Sequence, residues 1–357
     1  MKILYGIQAT GNGHITRARA IGKEFSRVGA NVDYLFSGRS RGKFFDMDIF
    51  NDWKCYSGLT FWHHEGRISP LRTFRNNRLM RFWRDIHDLD LSDYDLVVTD
   101  FEPITAWAAK LAGKTSIGVG HQYAFNSYIP MQGDNWGSRL IMRRFAPVNI
   151  PLGLHWHHFD QNILPPIADT PPFQPLDAVA QESRKIIVYL GFESQARVIE
   201  LLQPFEDYKF YYYGDFPDAK DLGHIQLRPL SRDGFQRDLN SSAGVICNAG
   251  FELASEALQL GKKLLVKPLY GQMEQLSNAF ALEQLQLGMT MKQLCGDRIR
   301  AWLDSWESKQ IIYPNVAKAI VQWILEGDWS DSSELVKALW PQVRSPQIAN
   351  FAALSPN

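Results

Sequence analysis

Short buried-strand patterns alternate with helical ones along this 357-residue chain, and that alternation restricts the fold more than any other feature. Lys2–Ile7 is a brief apolar run, broken by Gly11 and Gly13. Ile15, Ala18, Ile21, Phe25 and Val28 then recur at three- and four-residue steps, the period of a helix with one apolar face, until Gly29 closes it. Asn31–Phe36, Asp95–Thr99 and Thr115–Val119 read as further strands, with a helix over Ile104–Leu111. The alternation restarts at Lys185–Leu190, with strands at Lys209–Tyr213, Gly244–Cys247 and Lys263–Lys267. Helices are expected near Glu193–Leu202, Glu252–Leu260 and Glu274–Leu285, and from Ala301 onward the chain is helical and Trp-rich. Strands separated by helices form parallel sheets covered on both faces, because a parallel pair needs a crossover long enough to hold a helix. The expected fold class is α/β, with two doubly wound parallel-sheet (Rossmann-like) domains and a cleft between them.

Two domains also follow from length, since a single core stops growing at about 250–300 residues. From Pro147 to Pro175 the chain changes character: Pro147, Pro151, Pro165, Pro166, Pro171, Pro172 and Pro175 fall in a stretch with few helix formers. Its later part is read as a linker. The divisions are a first domain over 1–165, a Pro-rich linker over 166–184, a second domain over 185–330 and a helical tail over 331–357 that packs back on the first domain. Lys plus Arg and Asp plus Glu are 38 each, so bulk charge gives no grip on nucleic acid. The halves differ, however: residues 1–165 carry +5 and residues 166–357 carry −5. Two oppositely charged halves fit domains that attract each other or handle different ligands. The apolar start, Met1 to Ile7, ends at Gln8 and is too short for a signal peptide. No apolar run is long enough for a membrane span. Cys55, Cys247 and Cys295 stand far apart without metal-binding spacing, which points to a reducing, cytoplasmic setting.

The stretch from Gly244 to Gly288 carries the most chemistry. A buried strand ends at Asn248, Gly250 allows a tight turn, and a helix opens near Glu252 and stops at Gly261. The free amides and dipole of such a helix start form an anion site. Glu256 lies one turn inside, on the face of Glu252. A second strand leads to Pro268, and Glu274, Gln275 and Asn278 follow into the next helix. The spaced positions Gly250, Glu256-Ala257, Gly261, Pro268, Glu274-Gln275 and Asn278-Ala279 resemble the nucleotide-sugar donor motif of the GT-B glycosyltransferases. That group includes the UDP-glycosyltransferases and the peptidoglycan N-acetylglucosaminyltransferase. The resemblance implies Glu256 on the ribose hydroxyls, amides after Gly250 on the pyrophosphate, and Glu274 with Gln275 on the donor sugar. The implied donor contacts are Asn248, Gly250, Phe251, Glu252, Glu256, Glu274, Gln275 and Asn278. Many members have His where this chain has Asn248, and a small hydroxyl residue where it has Glu252 or Leu253.

After the first strand comes Ala9-Thr10-Gly11-Asn12-Gly13-His14, which opens a helix and resembles the N-terminal Gly-rich loop of the same enzymes. Gly11, Asn12 and Gly13, together with Glu102, are the expected acceptor or phosphate residues. His14 at a helix start is held toward the neutral ring that accepts a proton. A general base needs an orienting carboxylate. Asp100, in Thr-Asp-Phe-Glu-Pro just past a strand, is the first choice, Glu102 the second. Some UDP-glycosyltransferases use such a His–Asp pair. The chain as a whole is similar to a little-characterised group of glycosyltransferases with this loop and this Asp-Phe-Glu-Pro segment. Gly11 to Arg17 also resembles the loop of a nucleotide-sugar hydrolase, in which the His activates water.

Other signals are weaker. His155, His157 and His158 have no zinc spacing and read as packing residues, and His63-His64 as a solvated loop. His121 and Gln122 follow a strand and reach toward the cleft rim as acceptor contacts. Arg67, Arg72, Arg75, Arg78, Arg81 and Arg84 interleave with Phe74, Leu79, Phe82, Trp83 and Ile86, which reads as a basic amphipathic helix over 71–86. It is expected to face an anionic or lipid-linked acceptor or to touch the inner membrane face peripherally. The first domain is thus expected to bind acceptor and the second a nucleotide sugar, with UDP-sugar as the implied class. His14 and Asp100 would be catalytic, with no metal and no cofactor beyond the co-substrate. The alternatives are a nucleotide-sugar hydrolase or epimerase on the same fold and, outside catalysis, a nucleotide-sugar-binding sensor.

Overall fold

Every residue of β1 (Lys2–Gln8) from Ile3 on is buried, as a central parallel strand covered on both faces requires. The computed structural model describes residues 1–60, 77–168, 182–305 and 307–348, together with the backbone of 63–64 and 67–68. α1 (Asn12–Arg27) follows β1, with Ile15, Ala18, Ile21 and Phe25 buried on one face. Val28 lies past the helix end and is exposed, and Gly29 takes φ 68° to turn the chain into β2 (Asn31–Ser37). β3 (Lys54–Tyr56) extends that side of the sheet. A two-residue ladder, β4 (His63–His64) with β5 (Arg67–Ile68), follows, so His63 and His64 lie in a strand and not in a loop.

The arginine-rich helix is shorter than its sequence pattern. α2 runs Leu79–Asp88. Asn77 is held outside it, accepting from Thr60 N at 2.9 Å and donating to Thr60 O at 3.0 Å, and Arg78 is the N-cap position. Residues 71–76, with Arg72 and Arg75, lie outside the described residues. Phe82 and Ile86 are buried one turn apart while Arg78, Arg81 and Arg84 are exposed. The apolar stripe, more than the arginines, thus sets where the helix lies.

The chain then crosses to the other side of β1. β6 (Leu96–Asp100) pairs directly with β1, placing Ile7 beside Asp100, and α3 (Pro103–Ala112) leads to β7 (Ser116–Gly120). A single turn, α4 (His121–Ala124), and the surface helix α5 (Trp136–Arg144) precede β8 (Ile150–Leu154) and β9 (Ile163–Leu164). The first sheet has the order β3-β2-β1-β6-β7-β8-β9, parallel throughout. Its direction reverses between β1 and β6, the switch point at which such sheets bind ligands.

The Pro-rich stretch therefore contributes two strands before any linker. Pro151 is accommodated because β9 pairs β8 only at Gly153 and Leu154, so at Pro151 a missing N–H breaks no ladder on that side. Residues 169–181, with Pro171, Pro172 and Pro175, lie outside the described residues.

The second sheet repeats the plan. β10 (Lys185–Tyr189), α6 (Gln195–Leu202), β11 (Lys209–Gly214), β12 (Lys220–Leu222) and β13 (Ile225–Pro229) build one side. α7 (Arg232–Ser241), β14 (Gly244–Asn248), α8 (Phe251–Gln259), β15 (Lys263–Lys267), α9 (Met273–Gln284) and β16 (Met289–Thr290) build the other. The order is β12-β13-β11-β10-β14-β15-β16, with β12 antiparallel and the reversal between β10 and β14. Both halves are thus doubly wound α/β sheets of seven strands.

After α10 (Gly296–Ser305) the chain returns toward the first sheet. α11 (Val316–Glu326) packs on α1, and Asn315 donates to Glu24 at 3.0 Å. α12 (Ser333–Leu339) follows, Asn162 donates to Ser332 at 2.8 Å, and Trp340 Nε1 donates to Ile163 O at 2.7 Å. Trp156 donates across the halves to Ser255 at 2.9 Å. His155, Trp156, His157 and Phe159 are buried in a shared aromatic cluster with Phe251, in line with packing histidines. Among the described residues no helix is long and apolar enough to cross a membrane, and no group of three or more His, Cys, Asp or Glu is arranged to hold a metal.

Gly153 on β8 lies directly under α4: a Cβ there would stand 2.7 Å from Ala124 Cα and 2.8 Å from Ala124 N. Backbone cannot yield as a side chain can, so Gly153→Ala should push α4 from the sheet and destabilise the protein by about 1–3 kcal/mol. Urea denaturation monitored by tryptophan fluorescence measures this.

Candidate active site

The two loops at the first switch point meet. His14 stands in the first turn of α1, which Gly11 precedes without a side-chain cap, and Asp100 ends β6. His14 Nδ1 is 2.6 Å from Asp100 Oδ1. The His14 side chain keeps 15% exposure while Asp100 has none. With Nδ1–H turned to the carboxylate, Nε2 is the ring nitrogen left to face a substrate.

Arg17, one turn further along α1, completes the group. Its Nε donates to Asp100 Oδ2 at 2.7 Å and its second terminal nitrogen to Oδ1 at 2.5 Å, a bidentate fork. The same nitrogen is 3.1 Å from His14 Nδ1. The third guanidinium nitrogen forms an ion pair with Glu252 in the first turn of α8, so one cation joins carboxylates from both halves. Burial alone would raise the Asp100 carboxyl, but Arg17 and then His14 reverse that and hold it below its ordinary value. Burial also opposes the Arg17 cation, and Asp100 beside it more than restores it. Gly13 permits the approach of α8, since a Cβ there would meet Glu252 Oε2 at 2.6 Å.

Glu102 has a different role from Asp100. Its carboxylate accepts from Ile104 N at 2.9 Å, Thr105 N at 2.6 Å, Thr105 Oγ1 at 2.7 Å and Ser37 Oγ at 2.6 Å, making it the N-cap of α3. Four donors on one fully buried carboxylate leave it no access to an acceptor substrate. Phe101 between the two acids takes φ 51°, a left-handed conformation that costs a Cβ-bearing residue about 1–2 kcal/mol. That turn separates the acids, sending Asp100 to the switch point and Glu102 into the cap.

Further polar links join the halves. His121 Nε2 is 2.6 Å from Asn278 Oδ1 and its Nδ1 2.8 Å from Leu154 O, while the ring stacks on Phe251 with centroids 4.0 Å apart. Burial lowers the His121 pKa, while Glu274 and the two hydrogen bonds of the ring act against it. Asn278 also donates to Ala249 O at 2.9 Å, so both its ends are held. Gln122 donates to Glu274 at 3.0 Å. Asn12 of the Gly-rich loop donates to the Tyr189 hydroxyl at 3.3 Å, at the end of β10, and accepts from Arg39 at 3.0 Å. His121 and Gln122 therefore meet α8 and α9 directly.

The remaining donor-side residues are grouped by their own loops. Gly250 is the N-cap position of α8, with no side-chain cap, so the helix start keeps the anion-site character its sequence implies. Glu256 is buried and accepts from Gln236 of α7 at 3.1 Å. Asn248 accepts from Phe192 N at 3.4 Å and donates to Lys267 O at 3.1 Å, bridging the second switch point. Gln275 accepts from Leu269 N at 2.8 Å and fixes the loop before α9. Arg17, Arg39, Tyr189 and Gln236 have no role in the sequence-based site. Of these, Arg17 was within reach, since it lies three residues after His14 on one helix face.

Residues 1–305 match glycosyl transferase family 1. No curated protein matches the chain. Among solved structures, the glycosyltransferase SnogD from Streptomyces nogalater is 15% identical, covering 95% of this chain and 99% of its own, with a TM-score of 0.55. The spinosyn rhamnosyltransferase SpnG, complexed with thymidine diphosphate, is 13% identical over 95% of this chain and 97% of its own, with a TM-score of 0.54. The calicheamicin glycosyltransferase CalG4 is 13% identical over 95% and 98%, with a TM-score of 0.53. At such identities the likeness is one of fold, and it spans both halves.

Proposed function

The chain belongs to glycosyl transferase family 1, and on that premise we propose that it moves a sugar from a nucleotide-sugar donor, of the UDP-sugar class, to a hydroxyl of an anionic or lipid-linked acceptor. The observation that carries this is the His14–Asp100 pair at 2.6 Å, on the switch point that faces the start of α8. His14 Nε2 takes the acceptor proton, the acceptor oxygen bonds to the anomeric carbon, and the bond to the diphosphate breaks. The amides after Gly250 receive the departing charge, so the step needs no metal of its own. Glu256, oriented by Gln236, accepts from the ribose hydroxyls, and Glu274 with Gln275 meets the donor sugar. The thymidine diphosphate held by SpnG supports a nucleoside diphosphate in this class of cleft.

The acceptor assignment draws on the outer face of the first half. α5 buries none of its residues, and Trp136 is 80% exposed beside exposed Arg139, Leu140, Ile141, Arg143 and Arg144. Trp107 donates to Arg144 O at 3.2 Å and packs edge-on against Trp83 of α2, which ties this helix to exposed Met80, Arg81 and Arg84. Apolar residues among arginines suit an amphiphilic anion, met at the inner membrane face of the cytoplasm.

Three outcomes are expected. Glu256→Ala should weaken nucleotide-sugar binding by about 1–3 kcal/mol, the scale of charge-assisted hydrogen bonds, in calorimetry. His14→Ala should lower turnover by about 10²- to 10⁴-fold with donor affinity nearly unchanged. Full-rate donor cleavage by water without acceptor would replace transfer by hydrolysis. Replacing Arg78, Arg81 and Arg84 together with Gln should reduce sedimentation with phosphatidylglycerol vesicles, or raise the acceptor KM, more at low salt than at high salt. No change in either would return this face to plain solvent.

A further inference from the structure

The geometry points to Arg17 as a positioning residue of the transfer reaction: through Asp100 it holds the His14 ring with Nε2 toward substrate, and through Glu252 it ties that base to the donor helix. This rests on the transfer reaction proposed above, and it gives a role to a residue that touches neither the acceptor nor the donor.

Asp100 is the natural partner of His14, but a carboxylate this close favours the imidazolium, and a protonated His14 accepts nothing. Arg17 corrects this. Its fork occupies both oxygens of Asp100, at 2.7 and 2.5 Å, and its charge lies 3.1 Å from His14 Nδ1. Asp100 can then fix the Nδ1–H tautomer while Arg17 offsets the charge of that carboxylate at the ring. Glu252 is the counterweight on the far side of Arg17. It also accounts for an acidic residue at a helix start meant for phosphate, where a free carboxylate would repel the donor. Paired with Arg17, its repulsion of an anion is reduced.

The other groups around this centre are two phenols, an imidazole and one more carboxylate. Tyr5 on β1 and Tyr123 on α4 are both raised well above the ordinary phenol value, first by burial and then by Asp100, and stay neutral. Burial lowers the pKa of His121 on α4, whose two ring nitrogens both meet oxygens, of Asn278 and Leu154. Glu274 on α9 adds negative charge toward Arg17 from the donor side and is bonded to Gln122. The signs therefore separate. Removing Arg17 should favour the imidazolium, and removing the charge of Glu252 should favour the neutral ring.

The His14 ring is followed by NMR titration of nitrogen-labelled histidine in the intact protein, its signal assigned by loss in His14→Ala. Arg17→Gln should raise the His14 midpoint by about 1–3 pH units, the effect of a charge at this range, and move the acidic limb of kcat/KM upward with it. Glu252→Gln should move the midpoint the other way. Arg17→Lys keeps the charge without the fork, so its midpoint should stay near wild type while kcat falls at least tenfold. A pin that is merely structural moves no midpoint. Unmoved midpoints, or the same direction for Arg17→Gln and Glu252→Gln, overturn the inference. Should Arg17→Gln fail to fold, the other two variants decide: a midpoint that stays put in Glu252→Gln, or rises in Arg17→Lys, overturns it as well. The titration needs no donor. If midpoints move as expected but no nucleotide sugar is turned over, the transfer reaction is wrong and the electrostatic role of Arg17 stands. If transfer occurs and midpoints do not move, only the role of Arg17 falls.

Discussion

A carboxylate removed from water stays ionised only when cations or donors surround it, and Asp100 is the group on which the rest of this site depends. It is fully buried at the end of β6, beside β1, where the first sheet reverses direction. Arg17 and His14 both reach it from a single helix that the Gly-rich loop starts. Taking away either partner leaves a charge with incomplete compensation, so the loop, α1 and β6 hold one another in place. The left-handed turn at Phe101 belongs to the same arrangement, since it turns Glu102 away into the cap of α3.

The same cation reaches beyond the first half. Arg17 with Glu252, His121 with Asn278, Gln122 with Glu274 and Asn12 with Tyr189 are all polar contacts between residues of the two sheets or their helices. Buried ionic and polar pairs add little net stability over apolar packing, but a misplaced partner is costly, so they specify one relative placement. The bulk of the join is apolar and aromatic, with Trp156, Phe251 and His155 in one cluster and α11 against α1. Opposite net charges on the halves, +5 and −5 by sequence, act in the same direction.

Members of one fold keep the scaffold and exchange the contents of the cleft. This chain keeps the scaffold over 95% of its length against SnogD and SpnG at 15% and 13% identity. In this cleft Glu252, at the start of α8, pairs with Arg17, one turn after His14.

Periodicity alone determined the two α/β halves. Strands such as Lys263–Lys267 and helices such as the one after Gly250 are legible because a buried parallel strand is a short apolar run and a covering helix repeats near 3.6 residues. His14 and Asp100 are legible for the same reason, since topology sends the ends of neighbouring strands to one rim. Sequence did not reveal β8 and β9, since Pro151 sits in a strand partly open on one side, nor the late start of α2, which Asn77 delays by bonding to Thr60. It ranked Asp100 before Glu102, two acids two residues apart, without a reason for what Glu102 does instead. Only the tertiary structure supplies that reason, because the turn at Phe101 and the donors waiting on each side decide which carboxylate meets a histidine and which meets a helix end. Spacing along a chain orders residues in one dimension, whereas the charge that a buried group can keep depends on what the folded chain brings around it in three.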